Sequence, residues 1–194
     1  REAAASVEER VREWLVNMNA MSAQPRPGLE VIEALTKKLT GLPFLGANQV
    51  ALLVDGAETY DSMIRAIGSA QSYVLVQFYI VRDDAIGRRM RDALVEKARS
   101  GVRVFFLYDE IGSIKMPQSY LDVMSGEAIE VSGFKTTKGR SNRFQINFRN
   151  HRKLLVVDGH TGFIGGNNLG EEYLDYRDTH LRIKGPAAQH IQLS

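Results

Sequence analysis

Apolar positions along this chain recur first with a helical period. Val7, Val11, Trp14, Leu15, Met18 and Met21 fall on one face, with Glu8, Glu9, Arg10, Arg12 and Glu13 elsewhere, which predicts a helix over 7–21. Gln24-Pro25-Arg26-Pro27-Gly28 breaks it. Val31, Ile32, Leu35 and Leu39 form the stripe of a second helix over 29–39, closed by Gly41-Leu42-Pro43. Two readings of this amphipathic pair stand: packing on the domain, or lying in a membrane interface with Trp14 and the methionines inserted. The mixed signs on the first helix's polar face weigh toward packing. The pair sets residues 1–46 apart from a domain expected over 47–194.

From Gln49 the pattern alternates between short apolar runs and helical stripes. Residues 50–54 (VALLV), 72–81 (SYVLVQFYIV), 102–109 (VRVFFLYD) and 128–132 (AIEVS) read as strands. Between them lie helices over 59–69, 85–100 and 118–124. Asp83-Asp84 supplies a cap for the second of these, and Gly101 a stop. Asp158-Gly159, between LLVV and TGFIG, is a hairpin signal. Asp178 to Ile183 alternates as a last strand, closed by Gly185-Pro186. This order predicts an α/β fold with a mainly parallel central sheet flanked by helices on both faces.

The chemistry concentrates in residues 150–168, NHRKLLVVDGHTGFIGGNN. If HRKLLVV is a strand, His151 and Lys153 point to the same face, an imidazole beside an ammonium. Gly165-Gly166 lets backbone come close to a neighbour, and Asn168 adds an amide donor. A nucleophile or base, a cation and a neutral donor together suit a phosphate group. Asp158 sits at the turn on the other strand parity, roughly 23 Å from His151 along a straight strand. That placement favours a structural role. Before His151, residues 133–149 form a basic loop with Lys135, Lys138, Arg140, Arg143 and Arg149, fit for anionic headgroups or a polynucleotide backbone, or simply solvated.

His151-x-Lys153, Asp158, Gly165-Gly166 and Asn168 keep the spacing of the HxK(x)4D(x)6GG-x-N signature, and the chain thereby resembles the phospholipase D superfamily. The stretches at 52–67, 77–113 and 165–187 further resemble bacterial cardiolipin synthases, and the chain looks like the first catalytic half of one. The resemblance implies a phosphatidyltransferase making cardiolipin from two phosphatidylglycerol molecules through a phosphatidyl-histidine. His151, Lys153, Asp158, Asn168 and Asp178 would be catalytic. His151 would be the nucleophile, Lys153 and Asn168 would hold phosphate oxygens, and Asp178 would orient the imidazole. Gly165, Gly166, Asn167 and His180 would line the substrate, with a satisfied core histidine as the alternative for His180. Such enzymes join two HxK halves. One is present here, so a second half or a second copy is the expected partner, beside phosphatidylglycerol and a bacterial cell-membrane surface. The alternatives are a homodimeric nuclease or phosphodiesterase, and a non-catalytic lipid- or anion-binding half.

Bulk properties narrow this little. The chain has 194 residues, 44% hydrophobic and 25% charged, with a net charge of +2, which gives no strong polyanion-binding field and leaves nucleic acid an unlikely partner. Without cysteine there are no disulfides or thiolate metal sites, and the four histidines lack zinc-like spacing, so neither metal nor cofactor is expected. No apolar run reaches the roughly 20 residues that cross a bilayer. The chain begins at Arg1 and is expected to be a piece of a longer protein, with any membrane anchor lying outside it.

Overall fold

A computed structural model describes residues 2–24, 26–134 and 149–193. Most of the basic loop anticipated at 133–149 lies outside them, as do the side chains of Val7 and Val11. Two helices open the chain, α1 (Glu2–Ala20) and α2 (Glu30–Thr40). Then come β1 (Gln49–Val54), α3 (Asp55–Gly68), β2 (Tyr73–Phe78), α4 (Ala85–Arg99), β3 (Arg103–Asp109), α5 (Gln118–Ser125) and β4 (Glu130–Phe134). After the break follow β5 (Leu154–Val157), β6 (Thr161–Gly165), a 3-10 turn (Glu171–Leu174), β7 (Thr179–Lys184) and α6 (Ala188–Gln192).

The strands form one sheet of seven in the order β1-β7-β6-β5-β2-β3-β4. The α/β class holds, but the sheet is mixed rather than mainly parallel. Among the described strands, β2–β3 and β3–β4 pair in parallel, and β1–β7, β7–β6, β6–β5 and β5–β2 are antiparallel. The parallel part is the βαβ run, whose crossover helices return each strand to the same end. The antiparallel β5–β6 pair follows from the three-residue turn Asp158 to His160. Asp158 and Gly159 both take positive φ, 51° and 63°, the geometry of a tight hairpin turn.

One face of the sheet carries the main core. Val74, Val76 and Phe78 of β2 and Val104 and Phe106 of β3 pack with Met63 and Ile67 of α3, Met90 and Leu94 of α4, and Tyr120 and Met124 of α5. At roughly 1.5–3 kcal/mol for each fully buried large apolar side chain, this layer supplies most of the fold's driving force. The other face holds a smaller cluster in which Ile191 of α6 covers Leu154 and Val156, with Leu75 and Ile183 beside them. Asp84 caps α4 as its position foretold, its carboxylate accepting from Gly87 N at 2.9 Å.

The N-terminal helices differ from each other. On α1, Met18 is fully buried, and Trp14 Nε1 donates to Gln189 Oε1 of α6 at 2.7 Å. On α2, the half-buried positions are Glu33 and Thr36, whereas Val31, Ile32, Leu35 and Leu39 are 72%, 60%, 55% and 85% exposed. The stripe is where the periodicity puts it, but it faces away from the domain.

Candidate active site

The mixed pairing brings distant segments to one edge of the sheet. Because β5 runs against β2, its start lies beside the end of β2, with Leu154 opposite Gln77. The end of β6 then lies beside the start of β5, and the start of β7 beside the end of β6, with Gly165 opposite His180. The parallel strand β3 ends at the same edge. His151 to Lys153, Gly165 to Asn168, Asp178 to His180, and the segments after β2 and β3 therefore meet there. Open α/β sheets place their ligands at such a strand end.

The paired glycines are explained by what lies on them. A Cβ on Gly165 would stand 2.5 Å from the His180 ring, and one on Gly166 would overlap both carboxylate oxygens of Asp178. The side chains of Asp178 and His180, at the start of β7, thus press directly against the backbone at the end of β6, and any larger residue would expel them. Burial pushes the His180 imidazole down to about 4; Asp178 opposes that shift and the Lys153 ammonium adds to it. His180 is therefore neutral at pH 7. Burial likewise holds Lys153 below the usual lysine range, with Asp178 pulling it back. Lys153, Asp178 and His180 form one electrostatically coupled group.

His151 and Lys153 precede β5 instead of lying within it, because strand pairing with β2 begins only at Leu154. The His151 ring stacks on Tyr79, with centroids 3.9 Å apart and planes at 17°. Lys153 Nζ lies 5.3 Å from the centre of the same Tyr79 ring and donates to the His151 carbonyl at 2.6 Å. The tyrosine thus gathers the imidazole and the ammonium that the spacing anticipated. Stacking occupies one face of the imidazole, while its nitrogens lie on the edge.

Asn168 is buried, and its Oδ1 accepts from Ile80 N at 3.0 Å, which turns the side-chain oxygen inward and leaves Nδ2 as the donor. Its backbone is held too: Tyr60 donates its hydroxyl to the Asn168 carbonyl at 2.6 Å. Asn167 is fully buried, with neither amide atom hydrogen-bonded. Both nitrogens of His180 are also unpaired. A satisfied core histidine would have a partner.

Asp158, grouped with the catalytic candidates through the signature, is at the opposite end of β5. Its carboxylate accepts from the backbone N–H groups of Gln71, Ser72 and Tyr73 at 2.8, 2.8 and 2.9 Å. It pins the entry to β2 and is structural. Among the described residues, no group of three or more His, Asp or Glu side chains is placed to hold a metal ion.

Residues overlooked by the sequence reading are Tyr79, Asp109 and Ser113. Asp109 was legible: an aspartate closing a strand, followed by a glycine three positions on, is the signature of a side chain that caps its own turn.

The family described as cardiolipin synthase, PLD-like domain, matches residues 63–192. The chain belongs to the phospholipase D-like family. Cardiolipin synthase A of Pseudomonas aeruginosa strain PAO1 is 45% identical over 190 residues, 94% of this chain and 38% of that protein. Cardiolipin synthase A of Pseudomonas putida strain W619 is 44% identical over 190 residues, 94% of this chain and 39% of that one. This phospholipase D-like chain therefore spans about two fifths of the length of the curated relatives it matches. NucT from Helicobacter pylori shares the fold, with a TM-score of 0.59 and 19% identity over 75% of this chain and 91% of that chain. Nuc from Salmonella typhimurium, a phospholipase D family member, does so with a TM-score of 0.55 and 18% identity, over 75% and 90%.

Proposed function

We propose that this phospholipase D-like chain supplies one of two half-sites for phosphatidyl transfer that makes cardiolipin. An edge nitrogen of His151 attacks the phosphorus of phosphatidylglycerol. The bond from phosphorus to the glycerol oxygen breaks, and glycerol leaves with a proton supplied by the second half. The hydroxyl of another phosphatidylglycerol then gives its proton to the same group of the second half and attacks the phosphatidyl-histidine, releasing the imidazole and forming cardiolipin. Lys153 and Asn168 Nδ2 stabilise the charge that builds on the nonbridging oxygens. Asp178 supplies the negative charge that favours a developing imidazolium, and Gly165 and Gly166 keep Asp178 and His180 in place. Asn167 and His180 line the pocket with unmet hydrogen-bonding capacity.

The observation that carries this reading is the packing of His180 and Asp178 on the two glycines, with Lys153 close enough to both to couple electrostatically and His151 stacked beside Lys153 on Tyr79. The relatives' name supports the choice of reaction. The test combines the chain with a second half and phosphatidylglycerol labelled at phosphorus, quenched in alkali. Label on His151 and labelled cardiolipin are expected, and both vanish in His151→Ala. Lipid binding with no label on His151 would instead fit a binding half. Metal-independent DNA cleavage by a symmetric dimer, without lipid transfer, would fit the nuclease alternative.

The outward stripe of α2 fits a membrane contact. An 11-residue helix that turns Glu33 and Thr36 inward and four aliphatic side chains outward, with Lys37 and Lys38 in its last turn, matches an interfacial helix on an anionic surface. Leu35→Glu with Leu39→Glu is expected to weaken binding to phosphatidylglycerol vesicles by about 10-fold or more. Unchanged vesicle binding would remove α2 as the contact.

A further inference from the structure

The spatial arrangement around Tyr79 assigns it a part in the reaction that the family signature does not contain. We infer that Tyr79 is the positioning residue for the His151 imidazole, and that the turn from Asp109 to Ser113 is built to hold it there. The inference rests on His151 being the nucleophile.

A histidine on an exposed, irregular segment is free to turn about two side-chain bonds. In-line attack requires a ring nitrogen held within roughly 3–3.5 Å of phosphorus at a fixed angle. His151 itself lies outside the strand ladder, which begins two residues later where Gly165 N donates to the Lys153 carbonyl at 3.4 Å. The restriction comes from the Tyr79 ring, parallel to the imidazole at 3.9 Å.

Tyr79 is itself fixed by the turn after β3. A Cβ on Gly112 would run into the Tyr79 carbonyl oxygen and stand 2.8 Å from its ring, so only glycine lets the ring lie where it does. The buried Ser113 hydroxyl accepts from Val81 N at 3.0 Å and donates to the Tyr79 carbonyl at 3.2 Å, locking the backbone on both sides of Ile80. Asp109, 1% exposed, joins the two arms. Its Oδ1 accepts from Ile111 N and Gly112 N at 3.0 and 2.8 Å, and its Oδ2 accepts from Asn150 N at 3.1 Å. One carboxylate therefore holds both the turn beneath the tyrosine and the residue directly before His151. Arg149 Nη1 donates to the Tyr79 hydroxyl at 3.1 Å, and the Lys153 ammonium lies near the ring.

The experiment reads the ring signals of His151 by NMR in the 194-residue chain, then turnover after a second half is added. Stacking on Tyr79 shifts the His151 ring protons upfield. Tyr79→Leu is expected to abolish that shift, and Asp109→Asn to abolish it as well, since an amide cannot accept on both sides. Tyr79→Phe is expected to keep it. Asp158→Asn, at the far end of the sheet, is the control for general loosening and is expected to leave it unchanged. Should Tyr79→Leu fail to fold, Ser113→Ala, which frees the Tyr79 backbone, is expected to reduce the shift. In turnover, Tyr79→Leu lowers kcat about 10- to 100-fold with KM within about 2-fold, and Tyr79→Phe restores it. Unchanged His151 signals in Tyr79→Leu overturn the inference. So does an equal loss in Asp158→Asn, or full turnover without the contact. A wild-type chain that shows the stack but never carries label on His151 overturns the proposed chemistry and leaves the contact standing.

Discussion

The two ends of the central sheet are closed by the same device and finished differently. At one end, Asp158 receives three backbone N–H groups and fastens the β5–β6 turn to the start of β2. At the other, Asp109 receives three and fastens the turn after β3 to the segment carrying His151. Around Asp109's end, however, Asn167 and His180 are buried with both polar atoms unpaired. A buried polar group without a partner costs about 1–3 kcal/mol. Among the described residues six buried side-chain atoms lack a hydrogen-bond partner, and four of them belong to Asn167 and His180, beside Lys153 and Asp178, the others to Asp55 and His190; this end fits a ligand site and the other a scaffold.

The difference is broken most sharply by removing the nucleophile. His151→Ala is expected to lower cardiolipin formation at least about 10⁴-fold, measured with a second half present, while the melting temperature stays within about 2 °C. An exposed ring contributes little packing, so a large loss of stability would show that His151 belongs to the scaffold.

Next in size is Gly166→Ala. The new methyl group needs the space of the Asp178 carboxylate. Turnover should fall about 100-fold and stability by about 1–3 kcal/mol, read by urea unfolding. Normal turnover in this variant would mean that the position of Asp178 is immaterial to the reaction.

Which of these features could be read from sequence follows from how local each one is. The Asp84 cap, the Asp158-Gly159 hairpin and the helical stripes depend on residues a few positions apart, and the chain spells them out. Strand direction does not: LLVV in β5 is buried on both faces, and such a run looks alike in parallel and antiparallel company. Hence the sheet was expected to be mainly parallel. The spacing of His151 and Lys153 foretold their proximity for an imprecise reason. They meet on Tyr79, a residue more than seventy positions earlier, and not on the face of a strand. The α2 stripe was visible, but which way it faces is decided by the domain around it. The five-residue helix α6 follows Gly185-Pro186, which reads as a stop, and it is too short for a period to show.

Asp158→Asn tests the scaffold end. Burial raises the Asp158 carboxyl, but the hydrogen bonds from Tyr73, Gln71 and Ser72 outweigh it and hold the group below the usual carboxylate range. Its stabilisation is therefore complete above the unfolded value of about 3.9 and is lost as pH falls through the lower folded value. The variant is expected to lose about 2 kcal/mol at pH 7, with the gap narrowing in acid, and to turn over normally below its melting temperature. Loss of turnover in a fully folded variant would put Asp158 back among the catalytic groups.

The smallest effect separates the two ends by pH. His180 is buried neutral and titrates near 4 when folded, against about 6.5 unfolded. Between those values the unfolded chain binds the proton more readily, so stability declines as pH falls from about 6.5 toward 4 and levels off below. From pH 7 to 5.5 the expected decline from this group is about 1 kcal/mol, a window in which Asp158 stays ionised and contributes no slope. His180→Gln, neutral throughout, should flatten the urea midpoint's pH dependence in that window, leaving the slope that His190, whose imidazole burial also pushes down, contributes. A ligand anion bound between Lys153 and His180 would favour the protonated imidazole, raise its folded value toward the unfolded one and so shrink the decline. An identical slope in wild type and His180→Gln would show that the imidazole is hydrated when folded, and the unpaired nitrogens would then cease to distinguish this end of the sheet.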